Sequence, residues 1–436
     1  MNSTTENSAG NHPERSRSSG GMKDLARTSA PLTVQIARLL TLRRVRAHAL
    51  ILALCLWGVC AIDYANRGLY DRAGNLKFQD FLQFPISAHL IAQGHANDLY
   101  NSEVLAEAIR QITGRTNIDL KYFYGPQVAL PFTLLDGLPF LTQAEIWVGL
   151  SLVVYLACVY FISKSCRRIS SNGKLVGLCA LAYPPVFHFF TRGQLSAAAI
   201  LCVALAYLSF RAGHAWLAGL ALGCLAFKPQ FLVAIPLILL LAKAWNAFAG
   251  VAISAAAQLA FGYAYFGDSV MRAYFSMLLH SAGHPGSTEL KFSATQMHSL
   301  YSFWELLIPW PTGIWITYFI SSLIVIALAT RIWRSPSPLS LRFSALLLAA
   351  VLFNPHIYIY DLLILAPMFL LVTEWSIENA DDLSTSALRV FLYLSFILLL
   401  FGPLARWTHV QLSVMVFASL LWTLDRITAR SSAVLQ

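Results

Sequence analysis

The chain is poor in charge and in the motifs of soluble enzymes. Only 12% of its 436 residues are Asp, Glu, Lys or Arg, against roughly 25% in average soluble domains. That scarcity, with 57% hydrophobic residues and a mean hydropathy of +0.60, excludes a soluble globular protein and a disordered chain. Cysteine supplies no alternative framework. Cys55, Cys60, Cys158, Cys166, Cys179, Cys202 and Cys224 stand in or beside apolar runs, without CxxC or Cys/His spacing. They read as small buried hydrophobes. No GxGxxG or P-loop lies between a strand pattern and a helix pattern, and no Asp-rich nucleotide-sugar motif is visible. A nucleotide-linked donor is therefore disfavoured. What remains is an all-α, polytopic membrane protein.

Residues 1–46 are rich in Ser, Asn, Gly and Arg and too polar to bury a core, which predicts a disordered basic tail over about the first thirty. They lack the pattern of a cleaved signal peptide. Arg43, Arg44 and Arg46 precede the first apolar run, near 48–65, which reads as an uncleaved anchor with a cytoplasmic N-terminus. Further spans are predicted near 143–163, 174–190, 194–211, 214–228, 229–243, 246–266, 312–332, 341–356, 359–374, 387–404 and 408–425, about twelve in all. The membrane domain is thus expected over 47–430, followed by a short cytoplasmic tail, 431–436. This threading leaves 20 basic and 8 acidic residues inside, and 11 basic and 13 acidic outside. The basic balance is topology expressed as charge, and calls for no nucleic-acid partner.

Two long segments fall outside, 66–142 and 267–311. Within the first, 81–93 is predicted as an amphipathic interfacial helix, 103–112 as a short polar helix and 126–140 as a juxtamembrane helix. The outer ends of the spans carry unusual polar residues: Arg192 and Gln194 in FFTRGQLS, Lys228 in LAFKPQ, His298 in TQMHSLYSF, His356 and Asp361 in FNPHIYIYDLL, and Arg406 in GPLARWT. A charge at membrane depth costs about 2.5–3.5 kcal/mol on insertion scales, so each needs a partner, an aqueous cavity or a role. Plainer readings stand beside the functional one. The two arginines can snorkel to headgroups, His298 can be a loop histidine, and His356 and Asp361 can satisfy each other.

The order FQDF…GHANDLY…FYGPQVALPFTLL…LPFLTQAEIW, then YPPVFHFFTRGQLS, then WLAGLALGCLAFKPQFLVAIPLILL, resembles glycosyltransferase family 87 of the membrane-embedded GT-C superfamily, over roughly residues 50–375. The resemblance implies a GT-C-like helical bundle in a bacterial inner membrane, with its active site on the periplasmic side. It implies a mannosyl- or related hexosyltransferase that uses a polyprenyl-phosphate sugar and a lipid- or glycan-linked acceptor. The family's outer-loop acidic residue falls on Asp80, followed by Gly94, Leu99 and Tyr100 in GHANDLY. About a dozen extra residues (RGLYDRAGNLK) precede that acid here, which leaves Asp63 and Asp71 as rivals. The family's second-loop histidine falls on His298, and its later Pro-aromatic stretch on NPHIYIYD.

Such a transfer needs a base for the acceptor hydroxyl, a role that suits Asp80. It needs cations facing the departing phosphate, which Lys228, Arg192 and Arg406 can supply, with His298 as a hydrogen-bond donor. Tyr122 and Tyr124 can stack on sugar rings or anchor the interface. Attack by one base on a bound donor inverts the anomeric centre. No cofactor is expected; two outer carboxylates and a histidine could hold a divalent cation, though no spacing demands one. The main alternative is a transporter or flippase for a lipid-linked or anionic substrate. An O-antigen-type polymerase and a non-catalytic scaffold are further rivals. The one-sided placement of the polar residues and the lack of an internal repeat argue against transport.

Overall fold

The computed structural model describes residues 31–118, 120–283, 294–380 and 383–434. The first thirty residues of the expected tail and 284–293 of the second outer segment lie outside that range. Helices account for the described chain: α1 (Leu32–Leu39), α2 (Leu42–Tyr64), α3 (Gln83–Ala92), α4 (Ser102–Thr113), α5 (Phe140–Lys164), α6 (Gly173–Ala182), α7 (Pro184–Arg192), α8 (Ser196–Arg211) and α9 (Ala215–Gly223). Then follow α10 (Ala234–Leu241), α11 (Trp245–Gly283, broken at Gly267), α12 (Leu300–Leu307), α13 (Pro311–Arg334), α14 (Leu339–Phe353), α15 (Ala366–Glu378), α16 (Leu383–Ile397), α17 (Ala405–Thr408) and α18 (Leu412–Val434). Among the described residues no strand forms beyond two isolated β-bridges. The protein is an all-helical, polytopic membrane protein.

Each of the twelve predicted spans is helical. Among the described residues, seven helical segments are individually long and apolar enough to cross a membrane, and a bent pair makes an eighth. The other four, Ser196–Arg211, Ala215–Phe227, Pro229–Leu241 and Leu339–Phe353, are shorter. The bent pair, Ile169–Ala182 with Pro184–Arg192, turns by 54°. The cause is local: Pro184 and Pro185 open α7 and hold Tyr183 extended at ψ 116°. The last span continues past its expected end near 425 to Val434, and α1 lies within the segment read as tail.

The four short segments are explained by their packing. α14 is apolar all round and buried all round, with Phe343–Leu352 wholly enclosed. In α9 and α11 small residues bring backbones into contact. Gly219 lies against Ala247 and Gly223 against Val251 and Ser254, and the Gln258 amide donates to the Gly223 carbonyl at 3.0 Å. A side chain at either glycine would meet backbone, the close approach typical of membrane helices. The contacts advance along both helices in the same direction, so α9 and α11 are parallel. The intervening Pro229–Leu241 segment must run back, leaving Lys228 at the turn.

The first outer segment has its own aromatic core. Phe81, Phe84, Tyr122, Tyr124, Phe132 and Phe140 are buried together, with Phe84 stacked on Phe132 at 5.0 Å. The helix expected to lie on lipid along 81–93 is instead enclosed by protein from Gln83 to Ala88. Both of its faces are apolar, and the Pro126–Leu135 helix covers it. The polar helix expected at 103–112 is α4, capped by the Asn101 side chain and ended by left-handed Gly114. At the far ends of the spans, Glu374 accepts the Arg168 and Ile169 amides at 2.7 and 2.9 Å, and Arg331 pairs with Asp425.

Candidate active site

A cavity of about 630 Å³ opens between the 66–142 segment and the ends of the spans. Of the residues singled out from sequence, Asp80, Arg192, Gln194, His298 and Arg406 line it. They come from four separate stretches of chain, since Arg192 and Gln194 share one.

Asp80 sits in a short 3-10 turn, Gln79–Phe81, immediately after Phe78, which is left-handed at φ 53°. That conformation costs a non-glycine residue about 1–2 kcal/mol. Here it is offset by burial of the Phe78 ring, which packs edge-on against Tyr64 at 5.2 Å. The turn aims the Asp80 carboxylate at the cavity with 18% of its side chain exposed. Two glutamines hold it. Gln83 donates to the Asp80 carbonyl at 2.8 Å, and Gln194 donates to Asp80 Oδ2, also at 2.8 Å. Arg192 Nη1 stands 3.7 Å from Oδ1 and is half exposed. Burial pushes the Asp80 carboxyl above the usual carboxylate range. Arg192, the Gln194 hydrogen bond and Lys228 oppose that rise, and Asp361 adds to it.

The Arg-Gly-Gln order explains how Arg192 and Gln194 both reach Asp80. Arg192 ends α7 and Gly193 caps it at φ 72°, with its N–H on Phe189 and Phe190. A Cβ on Gly193 would also stand 2.6 Å from Phe81 Cβ. Glycine is required twice, for the left-handed turn and for the close approach of the Asp80 turn.

Lys228 and Asp361 form a buried ion pair at 2.5 Å, each side chain 3% exposed, and neither lines the cavity. Asp361 Oδ2 also accepts the Tyr358 amide at 3.3 Å, and the Tyr360 ring lies 5.5 Å from Lys228 Nζ. Asp361 thus has Lys228, not His356, as its partner. His356 donates its amide to Asn354 Oδ1 at 2.9 Å and lies outside the cavity lining. His298 is fully buried: its amide donates to the Ile357 carbonyl at 2.8 Å, and its Nδ1 shares a 2.7 Å hydrogen bond with the Ser413 hydroxyl. Burial, with His188 nearby, lowers its pKa to about 3, so the imidazole is neutral. The bridge between Met297 and Tyr358 ties this segment to NPHIYIYD.

The remaining candidates are placed elsewhere. Tyr122 and Tyr124 are buried and do not line the cavity; Phe123 between them does. Asp71 binds the Asn75 amide and side chain in a turn, Asp63 ends α2, and neither reaches the cavity. Among the described residues, no three His, Cys, Asp or Glu side chains converge as a metal site.

Sequence reasoning missed His188, Lys121, Asn117, Gln83, Tyr358 and Tyr360, all of which line the cavity. His188 and Arg192 share a face of α7 four residues apart, and Tyr358 and Tyr360 alternate, so both patterns were available. Lys121 and Asn117 sit in an irregular loop with no period to reveal them. Among the described residues, the lining carries three cations, Arg192, Lys121 and Arg406, and one carboxylate, Asp80. The arrangement can hold an anionic group beside a carboxylate base.

No curated protein and no solved structure matches the chain. The family model of glycosyltransferase family 87 matches residues 122–355, more than half of the sequence. Arg192, Gln194, Lys228 and His298 fall inside the match, and Asp80, Asp361 and Arg406 outside it. The chain belongs to glycosyltransferase family 87.

Proposed function

We propose that this membrane glycosyltransferase moves a hexose, mannose above others, from a polyprenyl monophosphate to a lipid- or glycan-linked hydroxyl. The reaction takes place on the outer face of a bacterial inner membrane and inverts the anomeric centre. The observation that carries this reading is the Asp80 carboxylate facing a cavity rimmed by Arg192, Lys121 and Arg406. Asp80 takes the acceptor's hydroxyl proton as its oxygen attacks the anomeric carbon. The cations stabilise charge that builds on the departing phosphate, which needs no strong general acid. His298, neutral and fixed by Ser413, contributes a hydrogen bond to sugar or phosphate. Lys228 acts through Asp361, holding the Tyr358–Tyr360 wall and adding positive potential beneath Asp80, rather than by touching the donor.

The test compares wild type with Asp80→Asn, purified in detergent and supplied with lipid extract and radiolabelled polyprenyl-phosphate mannose. Release of polyprenyl phosphate and a labelled product by wild type, lost in a folded Asp80→Asn, supports the reading. A fully active Asp80→Asn removes Asp80 as base. No turnover with any lipid-linked hexose, even after native membranes are added, refutes the polyprenyl-phosphate hexose as donor.

A further inference from the structure

The Tyr124 hydroxyl is buried, away from the cavity lining, and lies 3.1 Å from Gln194 Oε1. The other end of that amide, Nε2, lies 2.8 Å from Asp80 Oδ2. We propose that Tyr124 is a positioning residue that orients the Gln194 amide and thereby selects Oδ1 of Asp80 as the oxygen that receives the acceptor's proton. The proposal rests on the reading of Asp80 as base.

An amide oxygen only accepts and an amide nitrogen only donates, whereas a phenol can donate. The Tyr124 O–H therefore donates to Oε1, which turns Nε2 toward Asp80. Nε2 in turn requires a lone pair on Oδ2. A proton on Oδ2 would weaken that hydrogen bond, so a proton arriving at the carboxyl settles on Oδ1, the oxygen on the Arg192 side. The step is then balanced. The acceptor O–H bond breaks and its proton moves to Oδ1, while the acceptor oxygen bonds to the anomeric carbon. The bond from that carbon to the phosphate oxygen breaks, and its electron pair stays on the phosphate.

Without the Tyr124 hydroxyl, the amide keeps its bond to the Asp80 carboxylate, which holds it in this sense only while Asp80 is ionised. Rotated by half a turn, Gln194 presents Oε1 to Oδ2, and two acceptors then face each other. Protonating Asp80 relieves that conflict, so the carboxyl keeps its proton to higher pH. The other groups that bear on Asp80 are Arg192 from α7, Lys228 and Asp361 beneath it, and the buried phenols of Tyr358 and Tyr360. His188 and His298 line the same cavity. Lys121 and Arg406 line it too, and each of these groups keeps its own side chain when the Tyr124 oxygen is removed.

The experiment is the pH dependence of turnover with radiolabelled polyprenyl-phosphate mannose and membrane lipid extract, for wild type, Tyr124→Phe, Gln194→Met, the double variant and Asp80→Asn. Tyr124→Phe is expected to keep the donor KM within about twofold and to lower kcat by about tenfold near neutral pH. Its acid limb should move up by about one unit, a tenfold change in proton affinity. Gln194→Met should move the limb the same way, and the double variant no further. An Asp80→Asn that retains activity overturns the reading of the base itself. An inactive Asp80→Asn with unmoved limbs in the other variants overturns the positioning role alone. So does a uniform loss of rate at every pH, which a merely structural role predicts. Should Tyr124→Phe not yield folded protein, Tyr124→Met decides in its place: a moved limb supports the proposal and an unmoved one overturns it.

Discussion

Lys228→Met separates two roles that a lysine beside an active-site cavity can play. The side chain is 3% exposed and lies 2.5 Å from Asp361, which is itself 3% exposed. At an effective dielectric near 20, two unit charges at that distance attract by about 6–7 kcal/mol, against a desolvation penalty of several kcal/mol per ion. The net worth of the pair is therefore modest, but breaking it is not. Lys228→Met preserves the length of the side chain and leaves a buried carboxylate without its cation, which is expected to destabilise by about 3–5 kcal/mol. Asp361→Asn strands the ammonium and should cost a similar amount, while its Oδ1 can still accept the Tyr358 amide. The double variant buries no net charge and should recover at least about 2 kcal/mol relative to the sum of the singles. Reversible unfolding of the purified protein in mixed micelles, run as a double-mutant cycle, gives the coupling. Activity is measured alongside. If Lys228 instead held the donor phosphate, Lys228→Met would raise the donor KM with little change in stability, and the double variant would be no better than the single. Either result would refute the anchoring argument.

Two further outcomes follow from the same geometry. Gly193→Ala forces a left-handed alanine and places a Cβ 2.6 Å from Phe81. We expect about 1–2 kcal/mol of backbone cost and, because the displaced residue adjoins Asp80, a loss of activity beyond what the fall in folded protein explains. Thermal unfolding and kcat measured on the same sample check this, and an active, equally stable variant would count against it. The second concerns pH. The Asp80 carboxyl is raised by burial and held down in part by Arg192, and a base works only when deprotonated. Activity should therefore fall on acidification through a pKa above the ordinary carboxylate value. Arg192→Gln removes a lowering influence, so its acid limb should lie at higher pH than that of wild type; a limb at lower pH would contradict the assignment.

Much of the site could be read in one dimension. Arg192, Gln194, His298 and Arg406 drew attention because polar groups are conspicuous at the ends of apolar runs, where insertion is costly, and Asp80 because it falls on the family's acidic position. The same cost explains why Lys228 and Asp361 were noticed but not matched. The sequence shows that each needs a partner, yet 133 positions separate them, and no periodicity links a turn between two helices to the start of another span. Tyr122 and Tyr124 show the reverse failure. An aromatic doublet near an interface fits stacking, anchoring or core equally well, and only the packing of Phe84 and Phe132 behind it makes it core.

The amino-acid sequence alone determined a helical, multi-spanning chain, because the bilayer rewards apolar runs and satisfied backbone and little else. It also marked the polar groups at the ends of the spans as candidates for chemistry. The tertiary structure decided which polar groups meet. It paired Lys228 with Asp361, turned Gln194 between Tyr124 and Asp80, and left Asp63 and Asp71 outside the cavity. Those choices depend on helix ends brought together by small-residue packing and by a double-proline bend, contacts between stretches of chain too far apart for any local pattern to record.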